Sequence, residues 1–169
     1  MNTLQARSLI GTATAIVATA TFIAGPAPAT AAPQHSPGTT LGVTADPDNT
    51  AHYIVTIRGL FPMSEGAAYD RLNHIAAGGG MDYVIYADDP GEGDAMIGSP
   101  HGYIGAPGPA GGLVIATPNG IAYMRTISVP RSALDEDDGT DEIYASARFV
   151  QGGGAGDLRA YTVPVSGDF

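Results

Sequence analysis

The chain contains no cysteine, no lysine and no tryptophan, and all seven of its basic residues are arginine. The lack of cysteine excludes disulfides, thiolate zinc sites, a thiol nucleophile and a lipid anchor on an N-terminal cysteine. The lack of lysine forbids the phosphate-cradling G-x-x-x-x-G-K-[ST] loop. Positive charge is scarce throughout: seven arginines stand against 17 carboxylates, for a formal net charge of −10. Nucleic acid is a poor partner for such a chain, because phosphate recognition depends on clustered Lys and Arg. Charged residues make up 14 % of the 169 positions and hydrophobic residues 44 %. Disordered chains show the opposite balance. There is no G-x-S-x-G elbow and no H-E-x-x-H. The glycine runs near 78–80 and 152–156 lack the strand–turn–helix order of a dinucleotide site.

Only one long apolar run is present, from Leu9 to Ala24, and its roughly 16 residues fall short of the ~20 that a membrane span needs. Arg7 precedes it, Gly25-Pro26 breaks it, and Ala29-Thr30-Ala31 offers an A-x-A cleavage site. Residues 1–31 therefore read as a secretory signal peptide. The expected mature chain has no transmembrane anchor and keeps six arginines against 17 carboxylates. A Pro-rich flexible leader is expected over 32–40, followed by one domain over 41–169.

That domain reads as all-β. Apolar and polar residues alternate over 51–58, with Tyr53, Val55 and Ile57 on one face. They alternate again over 142–150, with Ile143, Ala145, Ala147 and Phe149 inward and Tyr144, Ser146 and Arg148 outward. Residues 81–88 are apolar on both faces, as a central strand should be. Further strands are expected at 41–45, 113–117, 121–129 and 158–165, with Pro164 suiting an edge. Pro118-Asn119-Gly120 is a hairpin signal of the type I′ kind, and Gln151 to Asp157 a glycine-rich hairpin loop. One short helix begins at the N-cap Ser64, places Ala68, Leu72 and Ile75 on one face and ends at Gly78-Gly79-Gly80. About seven strands with turn signals between them predict an antiparallel β-sandwich, immunoglobulin-like or C2-like, with one helix over an open end. Pro90 to Gly112, rich in Gly and Pro, is expected as a long loop, with a short strand around Gly102-Tyr103-Ile104 as the alternative.

Acidic residues are concentrated between strands. Asp135, Glu136, Asp137, Asp138, Asp141 and Glu142 form one set, Asp88, Asp89, Glu92 and Asp94 a second, and Asp46 with Asp48 a third. If successive strands run antiparallel, alternate connections emerge at one end. The first, third and fifth connections are the acidic ones, so twelve of the 17 carboxylates would gather at one pole. Such crowding destabilises a fold unless solvent or a cation offsets it. Calcium is the natural counterpart, since it takes six to eight oxygens in flexible geometry. Its expected ligands are Asp88, Asp89, Glu92, Asp94, Asp135, Asp137, Asp138 and Asp141. The spacing of D-E-D-D-G-T-D-E does not fit an EF-hand loop, and solvated acidic loops are the plain alternative. Ser132 with Asp135 reads as a capping box opening one helical turn. A strand inside 90–112 would shift the parity and move the 130–141 loop to the opposite end.

Phe61-Pro62-Met63-Ser64-Glu65, then Tyr83-Val84-Ile85-Tyr86-Ala87-Asp88-Asp89-Pro90, then Leu134-Asp135-Glu136-Asp137 through Asp141-Glu142-Ile143-Tyr144-Ala145, resemble small uncharacterised secreted proteins of actinomycetes. The resemblance implies an exported β-rich domain and carries no activity, so no site residue is transferred from it. The resulting expectation is a non-enzymatic protein acting at or outside the cell surface by binding or adhesion, with a protein or cell-envelope partner. An inhibitor or ligand-binding module using the 90–112 segment, around Ser99-Pro100-His101-Gly102-Tyr103-Ile104, is the alternative. A hydrolase built on Ser64 or Ser99 with His101 is disfavoured, because no nucleophile–base pairing is visible in the order of residues.

Overall fold

The structure, a computed structural model, describes residues 34–75, 79–88, 95–102, 112–135, 139–152 and 156–169. The elements run β1 (Thr40–Ala45), β2 (His52–Pro62), α1 (Glu65–Asn73), β3 (Gly80–Ala87), β4 (Ala95–Gly102), β5 (Gly112–Thr117), β6 (Gly120–Pro130), a 3-10 turn (Arg131–Ala133), β7 (Asp141–Val150), β8 (Leu158–Tyr161) and β9 (Val165–Gly167). Two antiparallel sheets form, one in the order β1-β2-β6-β5, the other β4-β3-β7-β8 with β9 also paired to β7. The sandwich expected from alternation is the fold observed. Among the described residues no helix is long and apolar enough to cross a membrane.

The alternating side chains fill the space between the sheets. Val55 and Ile57 of β2, Ile85 of β3, Ile121 and Val129 of β6, and Phe149 of β7 are all fully enclosed. Each such aliphatic or aromatic side chain stabilises the fold by about 1.5–3 kcal/mol relative to exposure. β3 lies between β4 and β7, in accord with its apolar character on both faces. The outward set of β7 departs from expectation, because Tyr144 and Ser146 are also buried. Tyr144 is covered by Tyr86, whose ring stacks on it at 4.9 Å.

The described residues contain nine strands where about seven were expected. β4 is the extra one, and its Gly98, Pro100 and Gly102 give it the composition of a loop. It forms because β3 offers a free edge, and it follows that edge with two register irregularities. The expected 158–165 strand divides in two at Thr162–Pro164. Proline at 164 has no N–H to give. Buried Thr162 instead bonds β7 directly, its N–H to the Ala145 carbonyl at 2.9 Å and its hydroxyl oxygen accepting from Ala145 N–H at 2.9 Å. The β5–β6 hairpin forms at Pro118-Asn119 as expected, but not as a type I′ turn. Only Gly120 has positive φ (133°), whereas Asn119 does not. Residues 34–39, expected as a flexible leader, are tied down: Ser36 N–H donates to the Tyr161 carbonyl at 2.8 Å, and the Thr39 hydroxyl bonds the Tyr123 hydroxyl at 2.9 Å.

Helix α1 starts as the sequence predicts. The Ser64 hydroxyl accepts from Ala67 N–H at 3.3 Å, and Ala68 is buried in the core. The helix ends at Asn73, with the His74 N–H closing onto the Asp70 carbonyl at 3.1 Å, well short of the glycine run. Removing the cap orphans a helical N–H, so Ser64→Ala is expected to lower the unfolding free energy by about 1 kcal/mol. Chemical denaturation measures this, and Ser64→Asp should retain most of the stability.

Candidate functional site

Two strand ends and two connections define one end of the sandwich. β3 finishes there beside the start of β7, with the Asp88 N–H donating to the Glu142 carbonyl at 2.7 Å. β6 finishes there beside the start of β2, His52 pairing with Pro130 and the Arg131 N–H donating to the Ala51 carbonyl at 2.9 Å. The two sheets are joined at this end by the chain after β9. Tyr53 of β2 donates its hydroxyl to the Asp168 carbonyl at 3.3 Å and meets the Phe169 ring edge-on at 5.8 Å. Thr140, just before β7, donates to the Asp168 carboxylate at 3.3 Å. Helix α1 and the Pro118-Asn119 turn lie at the other end, where Met63 N–H bonds the Asn119 carbonyl at 3.2 Å.

The described members of all three acidic stretches therefore share a pole. Asp46 and Asp48 lie in the β1–β2 connection, Asp88 at the tip of β3, Asp135 after the 3-10 turn, and Asp141 and Glu142 at the start of β7. The extra strand β4 does not scatter them. β3 and β6 both run toward the pole, and β4 and β5 are antiparallel to them, so both run away from it. With β4 and β5 both directed away from the pole, the extra strand leaves β6 ending there, and the expected parity shift does not occur.

Asp141 is buried at the base of the pole, while Asp135 and Glu142 are exposed. Several carboxylates already have hydrogen bonds. Asp46 accepts from Asp48 N–H and from the Ser128 hydroxyl, both at 3.0 Å, and these two bonds, Asp48 first, hold its carboxyl below the usual aspartate range. Glu142 accepts from the Ser166 hydroxyl at 3.0 Å. The expected capping box is absent: the 3-10 turn opens at Arg131 after Pro130, with no side-chain cap, so Ser132 lies inside it. Among the described residues no three acidic or histidine side chains converge closely enough to hold a metal ion. Asp89, Glu92, Asp94, Asp137 and Asp138 lie outside the described residues.

Two features of the pole escaped the sequence reading. Asp168 joins it from the chain's last strand-end. Arg131 brings a cation, its guanidinium 4.3 Å above the Tyr53 ring. Such a contact contributes about 0.5–1 kcal/mol at an exposed site. Asp168 could have been located only with the pairing of β9 in hand.

The alternative sites fare differently. Ser64 is engaged as the cap of α1. Ser99 and His101 belong to β4, with Ser99 paired to Tyr83, so the 99–102 part of the expected recognition loop is sheet. Tyr103 and Ile104 lie outside the described residues. Compared with protein-family models, curated proteins and solved structures, the chain matches none.

Proposed function

We propose that residues 1–31 direct export and that the sandwich acts at or outside the cell surface as a non-catalytic binding or adhesion domain, meeting its protein or envelope partner through the acidic pole with calcium as counter-ion. The observation that supports this reading is the meeting of the 46–48, 88, 135 and 141–142 carboxylates at one end, with Asp88 hydrogen-bonded by its backbone to Glu142. A fold that is to stay stable with this charge density needs screening or a cation. Extracellular calcium modules bind at about 10⁻⁴–10⁻³ M, a range that a cluster of loop oxygens can reach. Asp89, Glu92, Asp94, Asp137 and Asp138 would complete the ligand set.

Thermal unfolding tests the reading. At about 10 mM calcium, linkage to a site of that affinity gives roughly 1.5–3 kcal/mol, which raises the midpoint by roughly 5–10 °C over the chelated protein. Magnesium at equal ionic strength should do much less, because it loses its water reluctantly. Equal midpoints in calcium and chelator would leave the acidic loops as solvated surface.

A further inference from the structure

The four sheet edges are not equally guarded. Exposed edges present unpaired N–H and C=O groups, and proteins blunt them with brevity, charge, proline, bulges or covering elements. β4 carries two register irregularities and Pro100. β8 has four residues and β9 three. β5 has α1 packed against it. Among the described residues β1 has none of these devices. Its six residues, Thr-Leu-Gly-Val-Thr-Ala, are uncharged and free of proline, and they pair with β2 without a break in register. Thr40, Gly42, Thr44 and Ala45 are exposed, and among the described residues only β2 pairs with this strand.

We infer that the free edge of β1 binds β1 of a second copy of this chain, antiparallel across a two-fold axis, to make one continuous eight-stranded sheet. The register follows from the side chains. Residues directly opposite in an antiparallel pair share a face, and a one-residue slip would turn apolar residues outward. An axis through Val43 satisfies this. It sets Val43 against Val43, Leu41 against Ala45 and Thr40 against Asp46 of the second copy.

Charge selects the same arrangement. Arg58 is exposed on the outer face beside Thr40 and donates its Nε–H to the Thr40 hydroxyl at 3.2 Å, which carries its cation toward the free edge. With the axis at Val43, Asp46 of the second copy comes opposite Thr40, and its carboxylate, which rests on Ser128 of β6 in the single chain, turns to the edge to meet Arg58, twice per dimer. The antiparallel arrangement also sends the two acidic poles to opposite ends of the joined sheet. A parallel arrangement would bring them together. The interface is isologous, so it closes at two copies and does not propagate.

Because the chain has no cysteine, a single introduced thiol reports its own position. The test uses the purified chain. The parent is expected to sediment at twice its chain mass at tens of micromolar, and Val43→Cys to form a disulfide-linked dimer under mild oxidation. Gly42→Cys with Thr44→Cys should link likewise without touching the inner face, since a Cβ at 42 meets only the Thr56 carbonyl oxygen, at 4.0 Å. Thr126→Cys, inside the same sheet, should stay unlinked, and Arg58→Glu should weaken the dimer at least tenfold. A parent that stays monomeric to several hundred micromolar overturns the inference. So does a dimer that links at Thr126→Cys as readily as at Val43→Cys, or one indifferent to Arg58→Glu.

Discussion

Gly120→Ala is expected to destabilise the domain by more than about 3 kcal/mol, a large fraction of the 5–15 kcal/mol that a domain of this kind has in total. Gly120 opens β6 with φ at 133°, a conformation that L side chains rarely adopt. A Cβ there would lie 2.1 Å from the Phe61 carbonyl oxygen and 2.8 Å from the Met63 N. Both are backbone atoms of β2 and its exit, held in place by the Pro62–Gly120 pairing and by Met63 N–H on the Asn119 carbonyl. They cannot step aside without opening the central β2–β6 ladder. Gly139 is the natural control, because its φ of 139° is nearly the same while none of the described residues lies within 4 Å of its Cβ position. Gly139→Ala should therefore show the backbone strain alone, about 1–3 kcal/mol. Urea unfolding of the two variants separates strain from collision. Equal losses would mean that the close approach at Phe61 contributes nothing.

The contrast between these two glycines shows where sequence reading reaches its limit. Asn119-Gly120 announced a turn, and a turn is there, but its type depends on how closely β2 passes, which no local pattern encodes. The strands with strict alternation were legible because burial on one face leaves a mark at every second residue. β2 is of this kind, with Tyr53, Val55 and Ile57 buried, and in β7 the expected inward set of Ile143, Ala145, Ala147 and Phe149 is buried, although Tyr144 and Ser146 on its other face are buried as well. β4 left no such mark. An edge strand owes its existence to its neighbour's unpaired groups rather than to its own side chains, so Gly98 and Pro100 within it were read as loop. The split of the last strand had a visible cause in Pro164. Its consequence, a buried Thr162 bonded to Ala145 on both sides, required knowing that β7 was adjacent.

The acidic pole was legible for a different reason. Its location follows from counting reversals of chain direction, and a count tolerates errors that cancel. One strand was missed, but β4 and β5 both lead away from the pole, so β6 still ends there and Asp88 and Glu142 still meet. The contents of the pole were less legible. Arg131 on Tyr53, and Asp168 held by Thr140, enter through tertiary contacts of residues that carry no motif. The same holds for β1. Six neutral residues in an acidic chain look unremarkable until the other three edges are seen to be protected.

Alkaline solution should unfold the domain well before its arginines deprotonate, and Tyr83 should carry the largest share of the effect. Tyr83 of β3 and Tyr123 of β6 face each other across the interior with ring centres 6.3 Å apart, and Tyr123 also packs on Phe61 at 4.7 Å. Burial pushes the Tyr83 phenol far above its usual value, with Tyr123 adding to the rise and the nearby Arg125 guanidinium opposing it. Burial raises Tyr123 too, against the Thr39 hydrogen bond, and it raises Tyr144, helped by Tyr86 and Asp88. In the unfolded chain these phenols ionise near pH 10. Between that pH and the higher folded values, the native state holds protons that the unfolded state has released. Stability is therefore intact below about pH 10 and falls as pH rises above it. Denaturant midpoints followed from pH 8 to 12 should be flat at first and then drop steeply. Tyr83→Phe keeps the ring and removes the ionising group, so its decline should begin later and be shallower than the parent's. Tyr69→Phe, on the exposed side of α1, should leave the parent's profile unchanged. If Tyr83→Phe also follows the parent's profile, the alkaline loss comes from elsewhere, and the interior seam between β3 and β6 is open to water.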